Sequence, residues 1–168
     1  MRTAVAILSE CVRRADEALK AKFRKTGTFL HFESGYTSTV VNAITTISQG
    51  KAKQPYPLVA VFTEGLTETH HDGYLEFTVP KIAIVVPTTA NKTEAQRIRD
   101  NFVPMLYPIF EELEKQLKRV HFGYDLYVSR KDIPYFTESG SKANTYNGLI
   151  DGIVITNLKM KVLDEVIC

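Results

Sequence analysis

Along the first two dozen positions, Ala4, Ile7, Leu8, Cys11, Ala15, Ala18, Leu19 and Phe23 recur at steps of three and four. Arg13, Glu17, Lys20 and Arg24 fall on the other side. That spacing gathers the apolar side chains into one stripe and predicts an amphipathic helix over residues 3–23, with Gly27 as its stop. Residues 28–33 are β-prone, and Ser34-Gly35 is expected to turn the chain. Residues 37–48 are ambiguous: their β-branched side chains suit a strand, but Ser38 as a cap and Val41, Ile44 and Ile47 at three-residue spacing predict a short helix. After a polar loop at 49–54, residues 56–62 form a compact apolar run suited to a buried strand. Residues 64–73 are expected to be a polar connection ending in the turn signal Asp72-Gly73. The longest strand candidate, 74–86, should pair with 56–62 as a hairpin, with an edge position or a bulge at Pro80.

Helical periodicity returns over residues 93–119, where Ile98, Phe102, Met105, Leu106, Ile109, Phe110, Leu113 and Leu117 share a broad face. Of these, Phe102, Leu106, Ile109, Phe110 and Leu113 are the predicted core contacts with the sheet. Pro104 and Pro108 each remove a backbone donor and collide with the carbonyl four residues back, so the helix must kink or restart with Pro108 in a first turn. Residues 124–129 and 152–163 are predicted strands. In the second, Val154, Thr156, Leu158, Met160 and Val162 alternate with Ile153, Ile155, Asn157, Lys159 and Lys161, which implies one core face along its length. Residues 133–146 are rich in Pro, Ser, Gly and Asn, as in a long exposed loop. The expected fold is one α+β domain over residues 1–168, a small mixed or antiparallel sheet packed against an N-terminal helix and a central proline-kinked helix.

A chain of 168 residues has enough length for one core, burying roughly 70% of its unfolded surface. Its 21 basic and 19 acidic residues leave a formal charge of +2, too little for nucleic-acid wrapping or membrane attachment by charge alone, so any DNA contact would be local. Cys11 and Cys168 lie in no metal or redox spacing and predict no disulfide framework. The apolar run at 1–8 is too short for the core of a signal peptide, and no stretch approaches the ~20 apolar residues of a membrane span.

Candidate chemistry is sparse. His70-His71-Asp72 is the one place where imidazoles adjoin a carboxylate, but adjacent side chains on a turn diverge, and a solvated hairpin tip is the preferred reading over a metal site. His31 and His121, beside Phe32 and Phe122, are expected to be packing or surface residues. No GxSxG, Walker A, GxGxxG, HExxH or zinc spacing occurs. Asp125, Asp132 and Asp151 could converge as in a magnesium-dependent nuclease, though their spacing does not ask for it. Tyr135, Phe136 and Tyr146 lie among Arg130, Lys131 and Lys142. In a nearly neutral chain that mixture favours a protein interface over a base-stacking surface. The predicted interface residues are therefore Arg130, Lys131, Asp132, Tyr135 and Phe136, with no catalytic, cofactor or metal residue expected.

Three stretches carry a resemblance: Tyr56-Pro57-Leu58-Val59-Ala60-Val61-Phe62 with the strand at 79–86; the run Arg99-Asp100-Asn101-Phe102-Val103-Pro104-Met105-Leu106-Tyr107-Pro108-Ile109-Phe110; and the closing segment from Asn147 to Leu158. Together, over about half the chain, they resemble small tail-region proteins of tailed phages and prophages of Bacteroidetes-type bacteria, including tail terminators and head-to-tail joining (neck or connector) proteins. The resemblance implies a non-enzymatic virion protein, assembled in the host cytoplasm. It further implies a homo-oligomeric ring, a hexamer or dodecamer, flanked by connector, portal-side or tail-tube proteins. DNA would pass through the lumen without sequence preference, and no membrane or cofactor would be involved. Two other classes fit the residues: a metal-dependent enzyme acting on nucleic acid in phage replication or packaging, and a cytosolic adaptor domain.

Overall fold

Helix α1 spans Ala4–Phe23 in the computed structural model, which describes residues 2–48, 57–89, 91–133 and 150–165. Its first turn is capped twice: the Thr3 hydroxyl accepts from Ala6 N at 3.2 Å and a Glu68 carboxylate oxygen accepts from Ala4 N at 2.6 Å. Most of the predicted stripe is buried, with Ile7, Leu8, Cys11 and Leu19 in the core, whereas Ala18 is exposed and Phe23 half-buried. The stop differs from expectation. The helix ends short of Gly27: Arg24 takes the left-handed conformation at φ 53° and its N–H closes on the Lys20 carbonyl, while Gly27, at φ 73°, lies beyond the helix. Buried Asp16 then accepts from the N–H groups of Phe29 and Leu30 at 2.8 and 2.7 Å, which fixes the returning chain against the helix.

Among the described residues six strands form one mixed sheet. Strand β1 (His31–Gly35) runs parallel to β2 (Leu58–Phe62), and the ambiguous segment between them is helix α2 (Thr37–Ser48). Parallel neighbours require a crossover, and a helix laid on the sheet supplies it, so topology decides what local propensity left open. The remaining strands are β3 (Thr67–His71), β4 (Tyr74–Pro87), β5 (Lys131–Ile133) and β6 (Ile150–Leu163), in the order β1-β2-β4-β6-β5. The expected antiparallel pairing of β2 with β4 is present, but residues 64–73 are not all connection. Thr67–His71 pairs with the first half of β4 across a tight turn whose Gly73 sits at φ 83°. β-branched Thr67 and Thr69, with the Asp72-Gly73 turn, suffice for a strand that keeps one face in solvent.

The centre of the sheet is the β4–β6 pair, in constant register from Tyr74↔Leu163 to Pro87↔Ile150 with one gap, at Pro80 opposite Asn157. Both strands change face there. Leu75, Phe77 and Val79 share the main core with Ile82, Ile84 and Val86 on β4, and Leu158, Met160 and Val162 share it with Ile153 and Ile155 on β6. Asn157 adopts φ 50°, so each strand gains one unpaired residue and the register survives. The single core face expected along 152–163 is therefore corrected: Val154 faces the second core and Thr156 is exposed. On the other side of β4, pairing passes from Phe62↔Lys81 to Thr67↔Thr78, so four residues of the neighbouring strand pass over Val79 and Pro80. A proline that cannot donate to the ladder is thus placed where pairing lapses on both sides, a bulge as expected.

Helix α3 (Glu94–Arg97) opens on a Thr93–Gln96 capping box and continues without a break into a π-helix (Ile98–Leu106), then into helix α4 (Tyr107–Val120). The widened turns contain Pro104, and Tyr107 N–H reaches back five residues to the Phe102 carbonyl. Pro108 occupies the first turn of α4, as the restart predicts. All five predicted core residues of this face, Phe102, Leu106, Ile109, Phe110 and Leu113, are buried against the sheet with α1. A smaller core on the opposite face joins Val40 and Ile44 of α2 to Leu58, Ala60, Phe62, Ala83, Val85, Ile150 and Val154. The expected strand at 124–129 does not form. Residues 124–130 are instead an irregular strap along β6, and its backbone pairing begins only at Lys131. The predicted loop at 49–54 lies outside the described residues, as does the predicted loop at 133–146 except for Ile133, which ends β5.

The face change at Asn157 makes a stability prediction. Asn157→Gly, which tolerates the left-handed conformation, should leave unfolding free energy within about 1 kcal/mol of wild type, whereas Asn157→Ile should lower it by about 1–3 kcal/mol. Urea unfolding of the two variants separates them, and equal losses would show that the backbone conformation at 157 is not what matters.

Candidate interaction surface

The predicted interface residues divide once they are placed. Arg130 lies over the Tyr107 ring at 4.5 Å and near Phe110 at 5.8 Å, and its Nε is 3.4 Å from Asp132. The Tyr107 hydroxyl donates to the other Asp132 oxygen at 2.6 Å. That hydrogen bond, followed by burial, pushes the phenol above its ordinary pKa. Arg130 and Asp132 therefore bind the strap to α4, while Lys131 is exposed and makes no ion pair among the described residues. Tyr135 and Phe136 lie outside the described residues.

The strap is held to β6 largely by side chains. Ser129 stands in the ladder position opposite Thr156, and its hydroxyl accepts from Thr156 N at 2.9 Å and donates to Thr156 O at 3.3 Å. Tyr127, two residues earlier, is 83% exposed. At the strap's start, His121 Nδ1 accepts from the Lys161 N–H at 3.1 Å, so the ring proton is on Nε2, which donates to the Tyr124 carbonyl at 2.8 Å. His121 and Phe122 extend a cluster of His71, Tyr74 and Tyr124 rings, with Lys161 Nζ 5.8 Å from both tyrosines. His121 is thus a structural tie, and burial, with the Lys161 charge, lowers its pKa despite the Tyr124 carbonyl.

The candidate catalytic groups do not assemble. His70 and His71 end the β3 hairpin, where His71 stacks on Tyr74 at 4.4 Å and lies 3.7 Å from Glu76. Among the described residues no group of His, Cys, Asp or Glu is arranged to hold a metal. Asp151 is fully buried against Arg97 at 3.2 Å and accepts from Asn101 at 2.6 Å, while Arg97 also donates to Thr88 and Thr89. Asp151 and Asp132 clamp the two ends of the π-helix to the sheet, and Asp125 is exposed in the strap. The Cys11 thiol is buried, and burial pushes it up to about 12, so it is inert.

The opposite margin of the sheet was not anticipated. Helix α2 has no charged residue in its 12 positions, and Ser38, Thr39 and Asn42 face outward from it. Tyr36, between β1 and α2, is 64% exposed. Helix α4, by contrast, turns Glu111, Glu114, Lys115, Lys118 and Arg119 away from the core. An outward helix face without charge is the composition of an interface centre, and this signal was readable in residues 37–48. No family model matches this sequence, and no curated protein does so either. No described helix is long and apolar enough to cross a membrane.

The His121 geometry predicts a pH dependence. Protonation would place a hydrogen on Nδ1 and break the bond from Lys161, so the folded state favours the neutral ring. The contribution is complete above the unfolded pKa of about 6.5 and is lost as pH falls from there toward the lowered folded value. The wild type should lose stability between pH 6.5 and 5 more steeply than His121→Gln in urea titrations. Parallel profiles would refute the assignment.

Proposed function

We propose that the chain is a structural subunit of a ring in the neck or head-proximal tail of a tailed phage, working by assembly and not by catalysis. The observation that carries this reading is that the two outer margins of the sheet are unlike. One is β1 with the uncharged face of α2 and Tyr36, and the other is β5 with the strap, Tyr127 and Lys131. A head-to-tail contact repeated by rotation needs two different surfaces on each subunit, whereas a twofold dimer uses one surface twice. The described carboxylates and histidines support the same reading, since Asp151, Asp132 and His121 are engaged in holding the fold together.

Sedimentation over a range of concentrations, with negative-stain images of the assembled fraction, tests the proposal. Closed rings of hexameric or dodecameric order are expected. A wild-type protein that stays monomeric at every concentration and within particles would contradict it.

A further inference from the structure

The lateral joint of such a ring can be assigned to particular residues, an assignment that rests on the ring reading. In the β1–β2 register Glu33 lies beside Ala60, a residue of the second core, so its side chain is on the α2 face of the sheet. Exposed Glu64 follows β2 near the same margin and accepts from the Thr37 hydroxyl at 2.8 Å. At the far margin Lys131 lies opposite Val154, also of the second core, and so is on the same face. Lys159 lies opposite Thr78, whose neighbours Phe77 and Val79 face the main core, and it too points to the side away from α1 and α4. Glu33, Lys131 and Lys159 make no ion pair among the described residues. Arg130 and Asp132 of that margin pair with each other, Asp125 is exposed, and Lys81 of β4 lies over the Phe62 ring of β2, inside the acidic margin.

We infer that a second copy of this chain docks edge to edge, with its Lys131–Lys159 margin against the Glu33–Glu64 margin of the first and with Tyr127 and Tyr36 within the joint. The charge complementarity of the margins selects this occupant. When two copies lie side by side with the same face up, the acidic margin of one meets the basic margin of the next, and equivalent margins repel. Such rim charges set register and partner choice. Tyrosine gives each margin a large contact area whose hydroxyl tolerates residual water.

Charge exchange tests the joint. The variant Glu33→Lys/Glu64→Lys has two basic margins, and Lys131→Glu/Lys159→Glu has two acidic ones. Each alone should raise the concentration of half-assembly on the order of tenfold or more. An equimolar mixture, or one chain carrying all four changes, should reassemble. Because Glu33 is half-buried, Glu33→Gln and Lys131→Gln serve as milder variants that should weaken the salt dependence of assembly, with circular dichroism and melting checking the fold. If wild type forms rings while the reversals have no effect, or the mixture and the fourfold variant fail to reassemble, the joint is elsewhere and the ring reading stands. A wild type that never assembles removes both.

Discussion

Strands β4 and β6 have to pair along fourteen residues each, although one carries a proline at its centre and the other an asparagine opposite it. Everything else in the fold is hung on that pair. Because both strands take up one extra residue at the same level, the register is kept while the buried side changes in both. The first half of β4 and the second half of β6 then present one face to solvent, while the other ends are buried on both faces. α1 and α4 can cover the whole of one side. α2 needs to cover only part of the other.

That arrangement explains why some of the molecule was legible in the sequence. The α1 stripe and the apolar face of residues 98–117 carry three- and four-residue spacing strong enough to mark both elements and most of their buried residues; Phe102, Leu106 and Ile109 are fully buried, while Ala18 and Ile98 are exposed. Alternation failed in β6 because it assumes one phase, and a left-handed residue at Asn157 shifts the phase without any signal beyond its asparagine. The strap at 124–130 has strand-like composition, but its contact with β6 passes through the Ser129 hydroxyl instead of its backbone. Pattern arguments do not register that substitution. Nor can the spacing of two prolines distinguish a kink from a π-helix, because both solve the same steric conflict.

The candidate surface was half legible for a similar reason. Arg130, Lys131 and Asp132 form a charged triplet beside aromatic residues, yet two of them are engaged within the fold, Arg130 over the Tyr107 and Phe110 rings and Asp132 by the Tyr107 hydroxyl. The better signal was an absence of charge in α2, which carries weight only when the segment is known to be an outward-facing helix. The charge pattern of the sequence marks the basic margin and gives no sign of the acidic one. Placing both on one face of the sheet took the register of β1 with β2 and of β5 with β6.

The proposed assembly uses two unlike margins of the chain at once. Hydrogen exchange followed by mass spectrometry, comparing dilute and assembled protein, addresses it directly because it reports each margin separately. Assembly should slow exchange both in β1 with the start of α2 and in the strap with β5, and should leave the outer face of α4 unchanged. Protection confined to one margin, as in a twofold dimer, or centred on the charged face of α4, would contradict the account.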